Sequence, residues 1–323
     1  MQQRQIGKLI PSPLAWAAAD LPEDAGLLRI DPLALDEIRI LGEALQQNPL
    51  PILALRPEPF DLPNCRALML RAAELLTSGP GFVILDRLPL DRLGHETAAK
   101  IYWLLSSMIA RPVAQKWDGT MVYDVTDKGR PPGNGVRPDV TNARQNFHCD
   151  NSYNLCPPDY VALFCLHTAM EGGVNGVVSL YAAHEEMRRR HPDLLARLHE
   201  DFLFDRQREH APDDNKVLAH PIFELLGDRL IGRLSRFQVM NGYQLAGKEM
   251  DPVGKAALDA FEAIMNDEHL RHDFIFEPGQ IQIINNTALG HMRTGFRDWP
   301  EPERKRHLIR LWLRDHGKPF YNG

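Results

Sequence analysis

The stretch Gln145-Asn146-Phe147-His148-Cys149-Asp150-Asn151-Ser152 sets an imidazole and a carboxylate one residue apart. Side chains alternate faces along an extended strand, so His148 and Asp150 point the same way and can close on one metal ion. Cys149 then faces the opposite side and is not counted as a ligand. Two ligands do not hold a catalytic metal, and the candidate for the third is His291, within Asn285-Asn286-Thr287-Ala288-Leu289-Gly290-His291-Met292-Arg293-Thr294. Two imidazoles and a carboxylate on one side of an ion, with its other positions open, form the set that holds non-heme iron(II) in oxygenases. A His-x-Asp alone is a weak signal, because such triplets arise often by chance. Its weight comes from the residues downstream.

The 323 residues are enough to bury on the order of three quarters of the unfolded surface. A content of 44% hydrophobic and 25% charged residues is ordinary for a globular chain. The net charge of -6 offers no global field to nucleic acid, and basic residues are scattered apart from Arg188-Arg189-Arg190 and Arg304-Lys305-Arg306. Nucleic acid is therefore not an expected partner. Cys65, Cys149, Cys156 and Cys165 show no CxxC spacing and suit free thiols, so a cytoplasmic location is expected. Pro11, Ser12 and Pro13 interrupt the N-terminal apolar run, and no signal peptide is expected. No run of about 18 apolar residues occurs, which excludes a transmembrane helix and a membrane partner.

Taken in order, residues 1–25 read as an irregular arm, with Trp16 available to anchor it. A short strand over Gly26–Ile30 precedes a helix capped by Asp31, opened by Pro32 and running to about Leu45, with Leu35, Ile38, Leu41 and Leu45 as its apolar stripe. Further helices are predicted over Asn64–Leu76 and Leu93–Ile109, with a buried strand at Phe82–Leu85 between them. From Val113 the texture changes to short strands and turns. Met121–Val125, Tyr160–Leu166, Val177–Leu180, Leu230–Leu234, Phe274–Phe276, Gln280–Ile284 and Arg306–Arg314 read as strands. The Gly- and Pro-rich segment from Gly129 to Pro138 reads as an excursion near the mouth of the site. Residues 182–204 read as a helical insertion broken at Pro192, with Phe202 on its apolar side and Arg188–Arg190 on a solvated face; another helix is expected over Pro252–Met265.

This order predicts an α+β fold with a double-stranded β-helix (jelly-roll) core and flanking helices. The whole chain, 1–323, reads as one domain: a mainly helical part to about residue 110, then the jelly-roll core from 111.

The final strand is the second informative stretch. In Arg306-His307-Leu308-Ile309-Arg310-Leu311-Trp312-Leu313-Arg314 the even positions share a face, so Arg306 and Arg310 point to the same side, roughly 13 Å apart along the backbone. Two guanidiniums on an inner face are costly without anionic partners, and their planar forks match carboxylates.

Together these residues resemble the TauD/TfdA (taurine dioxygenase-like) group of Fe(II)- and 2-oxoglutarate-dependent oxygenases. The resemblance runs over roughly residues 80–323 and is carried by Phe147–Ser152, Gly172-Gly173-Val174-Asn175, Gly279–Asn286, His291–Phe296 and Arg306–Trp312. It implies Fe(II) on His148, Asp150 and His291, with Arg306 receiving the distal carboxylate of 2-oxoglutarate. Arg306 follows His291 by fifteen residues, slightly long for the family, which implies a short insertion at Trp299-Pro300-Glu301-Pro302. Arg310 matches a position that contacts substrate or supports the cosubstrate. Asn175 stands where relatives often carry a cosubstrate-binding Thr, and its amide can donate the same hydrogen bond. The implied reaction consumes O2 and 2-oxoglutarate, releases succinate and CO2, and hydroxylates a C–H bond. Because Asp150 is present, the halide position of halogenating relatives is filled. Desaturation and ring closure remain alternative outcomes.

Asn151, Ser152, Asn286, Arg293 and Arg310 are the candidate substrate residues, and the expected substrate is a small polar metabolite, carboxylate or amino-acid-like. The remaining histidines, including His167, His184, His199, His210, His220 and His307, read as surface or core residues. Neither Cys149 nor Ser152 sits in a nucleophile elbow. Two other readings use the same ligands: a metal-binding sensor domain without turnover, and a zinc hydrolase. Homo-oligomerisation stays open.

Overall fold

The computed structural model describes residues 12–131 and 136–322. Residues 1–11 of the predicted arm, and 132–135 of the Gly- and Pro-rich excursion, lie outside them. Trp16 anchors the described part of the arm to the body: its ring is buried and its Nε1 donates to the Pro80 carbonyl at 2.7 Å.

Asp31 accepts from the Ala34 amide at 2.9 Å, and Pro32 opens helix α1 (Pro32–Gln47). Its buried stripe is Ala34, Ile38, Leu41 and Leu45, while Leu35 is exposed. At about 100° per residue, Ile38, Leu41 and Leu45 stay close to the direction of Ala34, whereas Leu35 stands a quarter turn away. Helices α2 (Pro63–Ser78) and α3 (Leu90–Ser107) pack beside it. The last begins three residues earlier than expected and kinks at Gly94, whose φ of 68° a side chain would resist.

The strands are β1 (Leu27–Arg29), β2 (Phe82–Asp86), β3 (Arg111–Val113), β4 (Tyr123–Val125), β5 (Gln145–His148), β6 (Tyr160–His167), β7 (Glu171–Gly172) and β8 (Asn175–Ser179). Then come α4 (Leu180–Arg190), α5 (Pro192–Leu198), β9 (Asp201–Asp205), β10 (Val217–Pro221), β11 (Phe223–Leu226), β12 (Arg229–Gly232), α6 (Arg236–Ala246) and α7 (Pro252–Met265). The chain closes with β13 (Arg271–Phe274), β14 (Ile281–Asn285), β15 (Leu289–Arg293), β16 (Phe296–Arg297) and β17 (His307–Arg314).

A large sheet orders β1-β2-β14-β6-β17-β3, with β4 also on β17, and a smaller one orders β13-β8-β15-β5. The period-2 alternation divides the large sheet. Val83, Leu85, Ala162, Phe164, Ile283 and Leu311 share a core with α1, α2 and α3. Phe82, Val161, Ile284 and Trp312 share another with Phe147, Val177, Leu289 and Met292 of the small sheet. Burial on both faces is why these strands read as nearly unbroken apolar runs. Arg310 and Trp312 of β17 therefore stand on the face toward the small sheet, as strand parity predicts.

The strand expected over Phe274–Phe276 instead runs Arg271–Phe274, and two larger departures concern helices. The helical insertion ends at Leu198, and Phe202 belongs to β9, where alternation buries Phe202 and Phe204 and leaves Asp201 exposed. Helix α6 was not foreseen: Phe237, Met240 and Leu245 are 37%, 45% and 54% exposed, so no apolar stripe marks it. Arg188, Arg189 and Arg190 do form a solvated face, pairing with Glu185 and Glu186 one turn back.

Candidate metal centre

Strand β5 ends at His148, and β15 runs antiparallel beside it with His291 directly opposite. That pairing brings the two imidazoles to a centroid distance of 4.1 Å. Asp150 is not on the strand, as the alternation argument required, but in the turn after it, where Asn151 adopts a φ of 57°. The turn returns the carboxylate to the same place: its Oδ1 lies 3.3 Å from His148 Nε2 and 3.6 Å from His291 Nε2. One donor atom from each of the three residues falls within 4.8 Å of the others, a set that could hold a metal ion. Cys149 stays out of it, buried with Sγ 3.6 Å from the Leu289 carbonyl.

His148 Nδ1 bonds the Asn146 carbonyl at 3.0 Å, and the Gln145 amide approaches Nε2 at 2.8 Å. With Nδ1 carrying the proton, the Nε2 lone pair accepts from the Gln145 amide, 3.3 Å from Asp150 Oδ1, and this is the tautomer a metal ligand needs. The Asp150 carboxylate is itself fixed. Trp312 Nε1 donates to its Oδ2 at 2.7 Å, and Arg310 Nη1 stands 3.2 Å from the same oxygen. Asn286 clamps the backbone, accepting from the Asp150 amide at 2.7 Å and donating to its carbonyl at 3.0 Å. Burial alone would raise the Asp150 pKa, but Arg310, His148 and His291 together hold it well below the usual carboxylate range. Burial, aided by His148, lowers His291 to about 4. At neutral pH Asp150 is thus ionised and His291 neutral, the forms that bind a metal.

Arg306 immediately precedes β17 and is buried, with Nη1 reaching no acceptor among the described residues. Burial and the nearby Arg293 lower it to about 9, and burial lowers Arg293 to about 10. Arg293 donates to the Thr141 carbonyl at 3.0 Å, and neither guanidinium has an ion-pair partner among the described residues. Asn175 is buried opposite Arg293 in the β8–β15 ladder and donates to the Gly173 carbonyl at 3.3 Å. The turn before it needs Gly172: its φ is 76°, and a Cβ there would lie 2.4 Å from the Gly295 carbonyl oxygen.

A cavity of about 370 Å³ opens on two of the three donors and is lined by His148, Asp150, Asn151, Arg310 and Trp312 with Asp139 and Phe237; His291 is not on its wall. Of the five candidate substrate residues, Asn151 and Arg310 are on this wall. Ser152, Asn286 and Arg293 are not: Ser152 donates to the Cys149 and Leu234 carbonyls at 2.7 and 2.9 Å, and Asn286 and Arg293 are spent on backbone groups. Sequence reasoning gave no role to Trp312, although the parity that singled out Arg306 and Arg310 includes it. It also missed Gln115, which accepts from Arg310 Nε at 2.8 Å, and Asp139, 3.3 Å from Arg310 Nη2. Nothing local in the chain marks either residue.

Residues 46–312 match the model of the taurine catabolism dioxygenase TauD, TfdA family. The chain belongs to this family. This TauD/TfdA protein is 27% identical to FR-33289 synthase of Streptomyces rubellomurinus over 290 residues, 88% of this chain and 84% of that one. Asparagine oxygenase, solved with Fe(II), 2S,3S-3-hydroxyasparagine and succinate, superposes with a TM-score of 0.66 at 17% identity, covering 90% of this chain and 94% of that one. The non-heme iron oxygenase OrfP, solved with iron and α-ketoglutaric acid, gives 0.61 at 14% identity, with coverages of 90% and 94%. The TauD/TfdA chain is accordingly an Fe(II)- and 2-oxoglutarate-dependent dioxygenase. Its family counts against the sensor and zinc-hydrolase readings. Among the described residues no helix is long and apolar enough to cross a membrane.

Proposed function

We propose that this enzyme hydroxylates an unactivated C–H bond of a small polar metabolite, releasing succinate and CO2, with iron(II) held by His148, Asp150 and His291. The observation that carries the reading is the convergence of the three donors in a fold that also buries Arg306 without a counter-ion. The donor set suits iron(II), and a buried guanidinium with a free Nη suits the distal carboxylate of 2-oxoglutarate. When bound, iron supplies the activation of O2 that couples decarboxylation of 2-oxoglutarate to C–H cleavage.

The protein's own part is positioning. Trp312 and Arg310 hold Asp150 Oδ2, which leaves Oδ1 toward the imidazoles. Arg306, with Asn175 beside the Gly172-Gly173 turn, receives and orients the cosubstrate. Asn151 and Arg310 present polar groups to the substrate in the cavity, and a substrate of amino-acid size, such as the hydroxyasparagine bound in asparagine oxygenase, suits its volume. We further infer that the two sheets are the walls of a jelly-roll barrel and that the chain works as one domain, because the large sheet is common to both cores.

Anaerobic titration with Fe(II) and 2-oxoglutarate tests the reading. A visible charge-transfer band is expected, absent with zinc, and in air succinate should form. Asp150→Ala should lose both. A wild-type protein that binds Fe(II) and 2-oxoglutarate without the band, or that forms succinate equally well as Asp150→Ala, would refute it.

A further inference from the structure

A second cavity, of about 830 Å³, opens beside the first and shares Arg137, Gln207 and Phe237 with it. Lys116, Lys128, Arg130, Arg137, Arg208 and Lys216 line it, against the single carboxylate of Asp205. Two of the cations are answered: Lys116 by Asp118 at 2.6 Å, and Arg137 by Glu209. Lys128, Arg130, Arg208 and Lys216 have no ion-pair partner among the described residues. Asp205 is itself committed, accepting from the Gln207 amide at 2.7 Å and from Asn241 at 3.5 Å. In a chain of net charge -6 this wall reverses the mean sign of the surface; the four unpaired cations are exposed, and a hollow lined by one sign of charge raises the local concentration of anions.

The backbone is also strained here. Gln207 and Arg208 hold φ values of 53° and 63° in succession. Side-chain-bearing residues keep that conformation only where their surroundings enforce it. It places Gln207 on the wall common to both cavities and Arg208 on the outer one. Tyr123 lies on the outer wall as well, with the Arg310 guanidinium 4.9 Å from its ring centroid.

We propose that the outer cavity binds a phosphate or phosphonate dianion carried by the substrate, while the carbon to be oxidised lies in the inner cavity beside His148 and Asp150. This rests on the function proposed above and names its substrate class. Arg310, which faces the inner cavity, is already balanced by Asp139 and Asp150. On the inner wall Arg144 also lacks an ion-pair partner among the described residues, but its guanidinium donates to Asn266 at 2.7 Å; the other four unpaired cations are further out, and several of them suit a tetrahedral group with three acceptor oxygens better than a carboxylate with two. Phe237, common to both walls, and Tyr123, on the outer one, add apolar surface.

The test is calorimetric binding of propylphosphonate, propanesulfonate and butyrate to the iron- and 2-oxoglutarate-loaded protein under argon, at matched ionic strength. Propylphosphonate is expected to bind roughly tenfold or more tighter than the other two, and tighter still as its second proton leaves with rising pH. Lys128→Gln/Lys216→Gln should weaken it by about tenfold or more while keeping the charge-transfer band, and Lys128→Arg/Lys216→Arg should restore it. Equal affinities for the three probes, or phosphonate binding indifferent to the Gln pair, would overturn the proposal. A missing charge-transfer band with phosphonate selectivity intact would sink the proposed function alone and leave the anion site standing.

Discussion

Trp312→Phe isolates one hydrogen bond at the centre of the site. The substitution removes the 2.7 Å donation from the indole to Asp150 Oδ2 but keeps an aromatic ring. That ring can still pack near Arg310 and Tyr321, which now lie 5.2 and 6.4 Å from the indole centroid. A hydrogen bond to a buried ionised group contributes about 1.5–3 kcal/mol. Arg310, 3.2 Å from the same oxygen, keeps part of the carboxylate's orientation, so the lower end of that range is expected. This corresponds to a roughly tenfold rise in the Kd for Fe(II). Losing a donor to the carboxylate also raises the Asp150 pKa, but from well below the usual carboxylate range, so Asp150 stays ionised and the deficit should be the same at pH 7.5 and pH 6. The assay is anaerobic Fe(II) titration in excess 2-oxoglutarate, read by the charge-transfer band at pH 7.5 and 6, with urea unfolding to confirm the fold. A folded variant that binds Fe(II) within about twofold of wild type at both pH values would show that Trp312 does not position Asp150.

Other substitutions probe the remaining contacts. Arg306→Gln should raise the KM for 2-oxoglutarate by about a hundredfold, since truncating one partner of a buried charge pair costs about 2–5 kcal/mol, while Fe(II) binding without cosubstrate stays unchanged; equal losses of both would contradict the assigned role. Asn286→Ala removes bonds to the Asp150 amide and carbonyl and to the Pro158 carbonyl, and urea unfolding should show a loss on the order of 3 kcal/mol. His184, fully buried against His199, is lowered by burial to about 4. Its unfolded pKa is about 6.5, so the unfolded chain takes up its proton first and stability falls as pH drops from about 6.5 toward 4. Urea unfolding of the metal-free protein at pH 7 and pH 5 should show about 2 kcal/mol less pH dependence in His184→Gln than in wild type; an unchanged dependence would contradict the burial argument.

Much of the fold was legible because its signals are short-range. Asp31 and Pro32 announce the start of α1 by their own chemistry, and the apolar runs at Phe82, Tyr160 and Ile281 mark strands covered on both faces. The stripe of α1 was misplaced by one residue because Leu35 is more apolar than Ala34, and hydrophobicity outweighed angle. Phe202 was assigned to a helix because alternation over five residues, Asp201–Asp205, is too brief to separate from helical spacing. Helix α6 escaped because Phe237, Met240 and Leu245 face the two cavities, which leaves only Val239 and Tyr243 to the core.

By itself the chain determined the donor types, His148, Asp150 and His291, and the common face of Arg306, Arg310 and Trp312, since both follow from residue identity and the two-residue repeat of a strand. Only the tertiary structure decided that His291 stands across from His148 and that the turn at Asn151 carries Asp150 back to them. It alone showed which oxygen of Asp150 Trp312 and Arg310 engage, and that unpaired cations from two connections, Lys128 with Arg130 and Arg208 with Lys216, surround one outer cavity. Those facts depend on strand pairing and burial between residues far apart in the chain, for which no local repeat carries a signal.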